Sequence, residues 1–145
     1  MKRIRPFIVV LGTMLLSPAL ASQEGWEAWL WQVAQRTQGI PYLYGGNDPR
    51  TGMDCSAYVR WVMGHAGFRL PRTSWEQFQA TAPANRYHPG YLLFFSESRR
   101  KIDHVAIYIG RGYMVHASGK HGRVVVEPVM RYRDILVAVR APRLR

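Results

Sequence analysis

The chain has 145 residues, with 20 Lys and Arg against 9 Asp and Glu, one Cys, and 48% hydrophobic residues of which aromatics make up 12% of the chain. That length and apolar content suit one domain with a real core and argue against disorder or two domains. The single Cys excludes a disulfide framework and a zinc site built on several thiolates, and the formal charge of +11 would ordinarily direct attention to nucleic acid or an anionic surface.

The N-terminus changes that reading. Lys2, Arg3 and Arg5 precede an apolar run from Pro6 to Leu16, and Ala19-Leu20-Ala21 supplies the small-x-small pattern of a cleavage site. Residues 1–21 are therefore expected to be a signal peptide cut after Ala21, leaving one domain over 22–145. The apolar run is shorter than the roughly 18 residues a membrane span requires, so no stable membrane insertion is expected after cleavage. Loss of three basic residues lowers the formal charge from +11 to +8. An exported chain rarely meets nucleic acid, so the expected anionic partners are wall peptides and phosphate-rich envelope polymers. The expected location is periplasmic or extracellular, in association with the cell wall.

Trp26, Trp29, Leu30 and Val33 recur at helical spacing and predict an amphipathic helix over 24–37, ended by Gly39 and Pro41. Turn chemistry fills 42–53. A second helix is predicted from Cys55 with Asp54 as N-cap, an apolar stripe of Tyr58, Val59, Val62 and Met63, and Gly67 as its stop. Thr73 to Gln77 carries capping-box patterns that open a short third helix. After Pro89-Gly90, strands are predicted at Tyr91–Phe95, Asp103–Ile109, Tyr113–Ala117, Arg123–Glu127 and Ile135–Ala141. Helices followed by strands indicate an α+β domain with a mainly antiparallel sheet of about five strands.

Cys55 stands in the first turn of its predicted helix, where unpaired N–H groups and the helix dipole would favour a thiolate. Of the five histidines, His65, His88 and His121 fit a helix end or a turn without any further role. His104 and His116 lie on adjacent predicted strands joined by Gly110-Arg111-Gly112. If those three residues form the hairpin loop, Ile109 pairs with Tyr113, His116 faces Ala106, and His104 is its diagonal neighbour on the same sheet face. A two-residue loop would instead separate the pair across the sheet. On the first arrangement His104, Ala106 and Tyr108 share one face and Val105, Ile107 and Ile109 form the apolar one. A nucleophile, a base and an orienting group are then within one constellation, whereas a metal site lacks the ligand spacing it needs.

Six blocks in order carry a family resemblance: Tyr42-Leu-Tyr-Gly-Gly46, Asp54-Cys55-Ser56, Leu70-Pro-Arg-Thr-Ser74, Pro89-Gly90-x-Leu-Leu-Phe-Phe95, His104-Val-Ala-Ile-Tyr-Ile-Gly110 and Val115-His116-Ala117. Together they resemble the NlpC-type family of papain-like cysteine endopeptidases of bacterial murein, over about residues 26 to 140. The resemblance implies a papain-like fold with N-terminal helices packed on the sheet. It implies Cys55 as nucleophile, His104 as general base and His116 as the residue orienting it. It also implies Tyr42 near the substrate or oxyanion, and Asp54 and Ser56 as the pair that meets a stem-peptide amino group. No metal or organic cofactor is implied, the partner is the peptidoglycan stem peptide, and no feature fixes an oligomeric state. Ala57 replaces the usual Gly after Asp-Cys-Ser, and Tyr91 replaces the usual Asp after Gly90. The rival readings are a non-catalytic wall-binding module, and an amidase or antibacterial wall toxin on the same fold.

Overall fold

The computed structural model describes residues 22–144, so the expected signal peptide lies outside the described residues. Helix α1 (Gln23–Thr37) begins on Ser22, whose hydroxyl accepts the Gly25 N–H, and buries Trp29, Leu30, Val33 and Ala34 as its periodicity requires. Two short strands follow, β1 (Asn47–Asp48) and β2 (Gly52–Met53), paired antiparallel. Helix α2 (Cys55–His65) starts directly after Asp54, whose carboxylate accepts the Ala57 N–H at 2.8 Å. Helix α3 (Ser74–Ala80) is capped by Thr73, which accepts the Glu76 N–H and donates its own proton to the Glu76 carboxylate. Among the described residues no helix is long and apolar enough to cross a membrane.

The sheet has six strands: β3 (Ala82–Ala84), β4 (Leu92–Phe95), β5 (His104–Gly110), β6 (Tyr113–Ser118), β7 (Arg123–Pro128) and β8 (Leu136–Ala141). Their spatial order is β3-β8-β4-β5-β6-β7, and every neighbouring pair is antiparallel. The strand missing from the sequence expectation is β3. Its Ala-Pro-Ala sequence has no strand propensity, and Pro83 is tolerated because β3 lies at an edge of the sheet. A 3₁₀ turn at Val129–Tyr132 follows β7.

Helices α1 and α2 cover one face of the sheet. Leu30 and Val33 from α1 and Tyr58, Val59 and Val62 from α2 join Phe94, Val105, Ile107 and Ile109 in the main core. Thr37 Oγ1 donates to the Val33 carbonyl and so receives the Tyr58 hydroxyl at 2.7 Å, tying the two helices together inside this core. The opposite face is also covered, by a smaller cluster of Leu93, Phe95, Ala106, Met114 and Val129 under Tyr132 and Ile135. The face that carries His104 is therefore sequestered from bulk water along much of its length.

The β5–β6 hairpin keeps the expected register at Ile107 opposite Val115 and Tyr108 opposite Met114. Ile109 does not pair with Tyr113, however. A bulge places Gly110 there instead, and Gly110 takes φ 99° and Arg111 φ 56° in the turn that follows. The extra residue is absorbed at the hairpin end, so the side-chain parity below it is unchanged.

Gly90 fixes how the first helix meets the sheet. Trp26 Nε1 donates to the Pro89 carbonyl at 2.7 Å, and a side chain on Gly90, held at φ 90°, would collide with the Trp26 indole. Gly90→Ala is expected to lower stability by about 1–3 kcal/mol through backbone strain and displacement of the ring. Urea denaturation reads this directly, and an unchanged midpoint would contradict it.

Candidate active site

Cys55 is the first residue of α2 and is positioned by what precedes it. Tyr42 bridges to Met53, the Asp54 N–H donates to the Gly46 carbonyl at 3.1 Å, and Asp54 then caps the helix. Arg72 clamps this corner. Its guanidinium donates to both Asp54 carboxylate oxygens, at 2.9 and 2.8 Å, and also to Ser56 Oγ and the Gly46 carbonyl. Burial works to raise the Asp54 pKa, but the hydrogen bonds from Arg72, Ala57 and Ser56 overcome it and hold the carboxyl below its usual range. Gln77 reinforces the corner from α3 by donating to the Ser56 carbonyl.

The facing wall comes from β5, β6 and β7. His104 Nε2 and His116 Nδ1 are 2.7 Å apart, with the rings nearly perpendicular. His116 Nε2 lies 2.6 Å from the Oε2 of Glu127, and both residues are almost completely buried. Tyr132 donates its hydroxyl to the same carboxylate oxygen at 2.8 Å, and His121 Nε2 lies 2.9 Å from the other. The hydrogen bond from His116 is the largest influence on Glu127 and, against the cost of burial, holds its carboxyl down to about 2.

Cys55, Tyr42, His104, His116 and Lys120 line one open cleft of about 480 Å³. Tyr132 and Ile135 also line this cleft. Among the described residues no group of three or more His, Cys, Asp or Glu side chains is arranged to hold a metal ion.

Burial pushes the Cys55 thiol up to about 11, against backbone N–H groups of Val105, Ser56 and Cys55 itself that favour the thiolate. Burial also pushes His104 down to about 3, reinforced by His116 and opposed by the negative charge of Glu127. Each group alone thus prefers its neutral form, which reverses the expectation of a thiolate sustained by the helix start alone. A thiolate formed together with a His104 imidazolium is a different case, because each charge then compensates the other.

The structure therefore brings Cys55, His104, His116 and Tyr42 to one cleft and sets Asp54 and Ser56 beside it, engaged by Arg72. The sequence reading missed Arg72, Glu127 and the contact of His121 with Glu127. Arg72 stood inside a motif block but carried no charge partner in sequence. Glu127 was visible only as the single acid ending a Val-rich strand. His65, by contrast, bonds its own helix carbonyl at Trp61, as a helix-end histidine should.

This arrangement, with a helix-start cysteine packed against an antiparallel sheet that presents paired histidines, defines the papain-like class of α+β fold. A match to the NlpC/P60 family extends over residues 39–138, and the chain belongs to that family. It is 36% identical over 107 residues to the bifunctional muramidase/DL-endopeptidase CwlT of Bacillus subtilis (strain 168), covering 71% of this chain and 32% of that protein. The chain thus spans about a third of the length of that relative. The solved structure of the peptidoglycan hydrolase RipB of Mycobacterium tuberculosis superposes with a TM-score of 0.66 at 27% identity, covering 86% of this chain and 69% of that one. An NlpC/P60 family protein of Bacillus cereus superposes with a TM-score of 0.69 at 27% identity, covering 80% and 39%.

Burial of the thiol beside His104 has a measurable consequence. In His104→Ala the thiol keeps the penalty of burial and loses the imidazolium that would compensate it, so the pH midpoint for alkylation by iodoacetamide should move upward from that of the native protein. It should also lie above the ordinary thiol value of about 8.5. Equal midpoints in the two proteins would show that His104 does not couple to the thiol.

Proposed function

We propose that the protein is an exported cysteine endopeptidase that hydrolyses peptide bonds in peptidoglycan stem peptides. In this reading residues 1–21 are the removed leader, 22–145 are the catalytic domain, and the product acts in the periplasm or at the cell wall. The observation that carries the proposal is the 2.7 Å contact between His104 and His116 in a cleft that the helix-start Cys55 also lines. The relatives, named as a DL-endopeptidase and a peptidoglycan hydrolase, suggest the substrate class.

The chemistry follows from the atoms. His104 Nε2 is engaged by His116, which leaves Nδ1 to take the Cys55 proton. The sulfur then attacks the scissile carbonyl and forms a C–S bond, and the carbonyl oxygen becomes an oxyanion. Backbone N–H groups at the start of α2, with the Tyr42 hydroxyl, stabilise that oxyanion. Collapse breaks the C–N bond, and the His104 imidazolium gives its proton to the leaving amine. Water, deprotonated by the same ring, hydrolyses the thioester and restores the thiol. His116 holds the ring throughout.

Tyr42, Asp54 and Ser56 form the polar side of the substrate site. An incoming ammonium would share the Asp54 carboxylate with Arg72, which already occupies both of its oxygens. The positive charge of the domain favours a substrate rich in carboxylates.

Digestion of purified sacculi by the mature protein, with fragments read by mass spectrometry, tests the proposal. Native protein should release muropeptides cut within the stem, and Cys55→Ala should reduce release by at least about a thousandfold, as loss of a nucleophile does elsewhere. Sedimentation with the sacculi without any fragments would favour a wall-binding module. Release that persists in folded Cys55→Ala would overturn the mechanism.

A further inference from the structure

We propose that Glu127 is a positioning residue that sets the proton polarity of the whole site, acting through His116 on the general base His104. The inference rests on the reading of His104 as the base that takes the Cys55 proton. An ionised carboxylate only accepts hydrogen bonds, so His116 must present Nε2–H to the Glu127 oxygen 2.6 Å away. A neutral His116 then has a bare Nδ1, which can only accept. His104 must therefore donate Nε2–H across the 2.7 Å contact, and its Nδ1 lone pair is left for the thiol. Reversing any one link turns the proton of His104 toward Cys55 and disables the base.

The carboxylate is itself prevented from turning. Tyr132 and His116 both approach Oε2, while His121 lies 2.9 Å and Arg131 3.6 Å from Oε1. Three separate segments thus converge on one buried side chain: β6, the turn after it, and the 3₁₀ turn after β7. Such a concentration of donors is more than a strand end needs for stability, since a buried carboxylate replaced by a small apolar residue would not require them.

Glu127 also supplies the negative charge that balances an imidazolium at His104 during thiolate formation. Its influence there runs opposite to that of burial. The other charges facing the cleft are weaker candidates for this work. Asp103 is occupied by the Glu97 and Ser98 N–H groups, and Asp54 is paired with Arg72. Glu97 lines the open part of the cleft, as does Lys120, and Tyr42 lies on the side of the thiol.

Two measurements test the proposal, and neither depends on knowing which bond of the substrate is cut. Two-bond proton–nitrogen correlation spectra of the native protein should show His116 and His104 both carrying their proton on Nε2 at neutral pH. A proton on Nδ1 of either neutral ring would overturn it. In Glu127→Gln the alkylation midpoint of Cys55 should rise, since the imidazolium loses its counter-charge. On sacculi, kcat should fall by about 10–100-fold with KM unchanged, the scale known for hydrogen-bond partners of metal-ligating histidines. Tyr58→Phe, which loses a buried hydrogen bond in the core between the helices, serves as the control for stability loss alone and should leave the alkylation profile as in the native protein. A Glu127→Gln profile that matches native, with only a lowered melting temperature, would make Glu127 structural and overturn the proposal. If the native protein does not digest sacculi, the proposed function fails, while the spectra and the alkylation profiles still decide the role of Glu127.

Discussion

The register of β5, β6 and β7 is the constraint on which the site depends. Side chains alternate across a strand, so a slip of one residue on β6 would send His116 to the helix-covered face and strand both His104 and Glu127. The register is secured from both sides of the sheet. Val105, Ile107 and Val115 are committed to the main core, and Ala106 and Met114 to the smaller one. Because both faces are apolar, neither can be exchanged for the other without exposing a core. The bulge at Gly110 confines the irregularity to the hairpin tip, away from the histidines.

The second cluster also explains the electrostatics. A sheet with one wet face would leave His104 and His116 in solvent, where their hydrogen bonds would compete with water. Phe95 and Tyr132 instead pack on the rings, at 5.7 Å from His104 and His116 respectively. The resulting burial opposes charge on His104 and on Cys55 alike, so the ion pair must form as a unit or not at all. Burial thus makes the polar partners at the far end of the chain matter: a carboxylate two hydrogen bonds away acts across a medium that screens poorly.

Local signals made most of the elements legible in the sequence. Asp54 and Thr73 cap the helices they precede, as expected, and the strands at 92–95, 104–110 and 113–118 fall where β-branched and aromatic residues cluster. The His104–His116 pair was expected from a three-residue hairpin loop, whereas the structure has a two-residue turn whose bulge before Gly110 keeps the same side-chain parity. Features that depend on two distant segments were not legible. β3 is a strand only because β8 offers it an edge, and its own Ala-Pro-Ala sequence carries no such information. Glu127 joins the site through the β6–β7 pairing, where Met114 lies opposite it, and no local pattern announces that register. The same holds for Arg72, whose partners lie 16 to 26 residues away.

Arg72 and Glu127 occupy mirror-image positions in the logic of the site. Each is a single charge with several polar partners, and each stands behind one half of the proposed reacting pair without lining the cleft itself. Arg72 neutralises Asp54 and so prevents a bare carboxylate beside Cys55 from opposing the thiolate, an opposition still visible in the raised pKa of the thiol. Glu127 provides the negative charge that an imidazolium at His104 requires. Placing the cation behind the sulfur and the anion behind the imidazole lowers the cost of moving one proton from thiol to ring, and raises the cost of the reverse polarity. In the proposed mechanism the direction of that proton transfer is therefore built into two residues that act on Cys55 and His104 only indirectly.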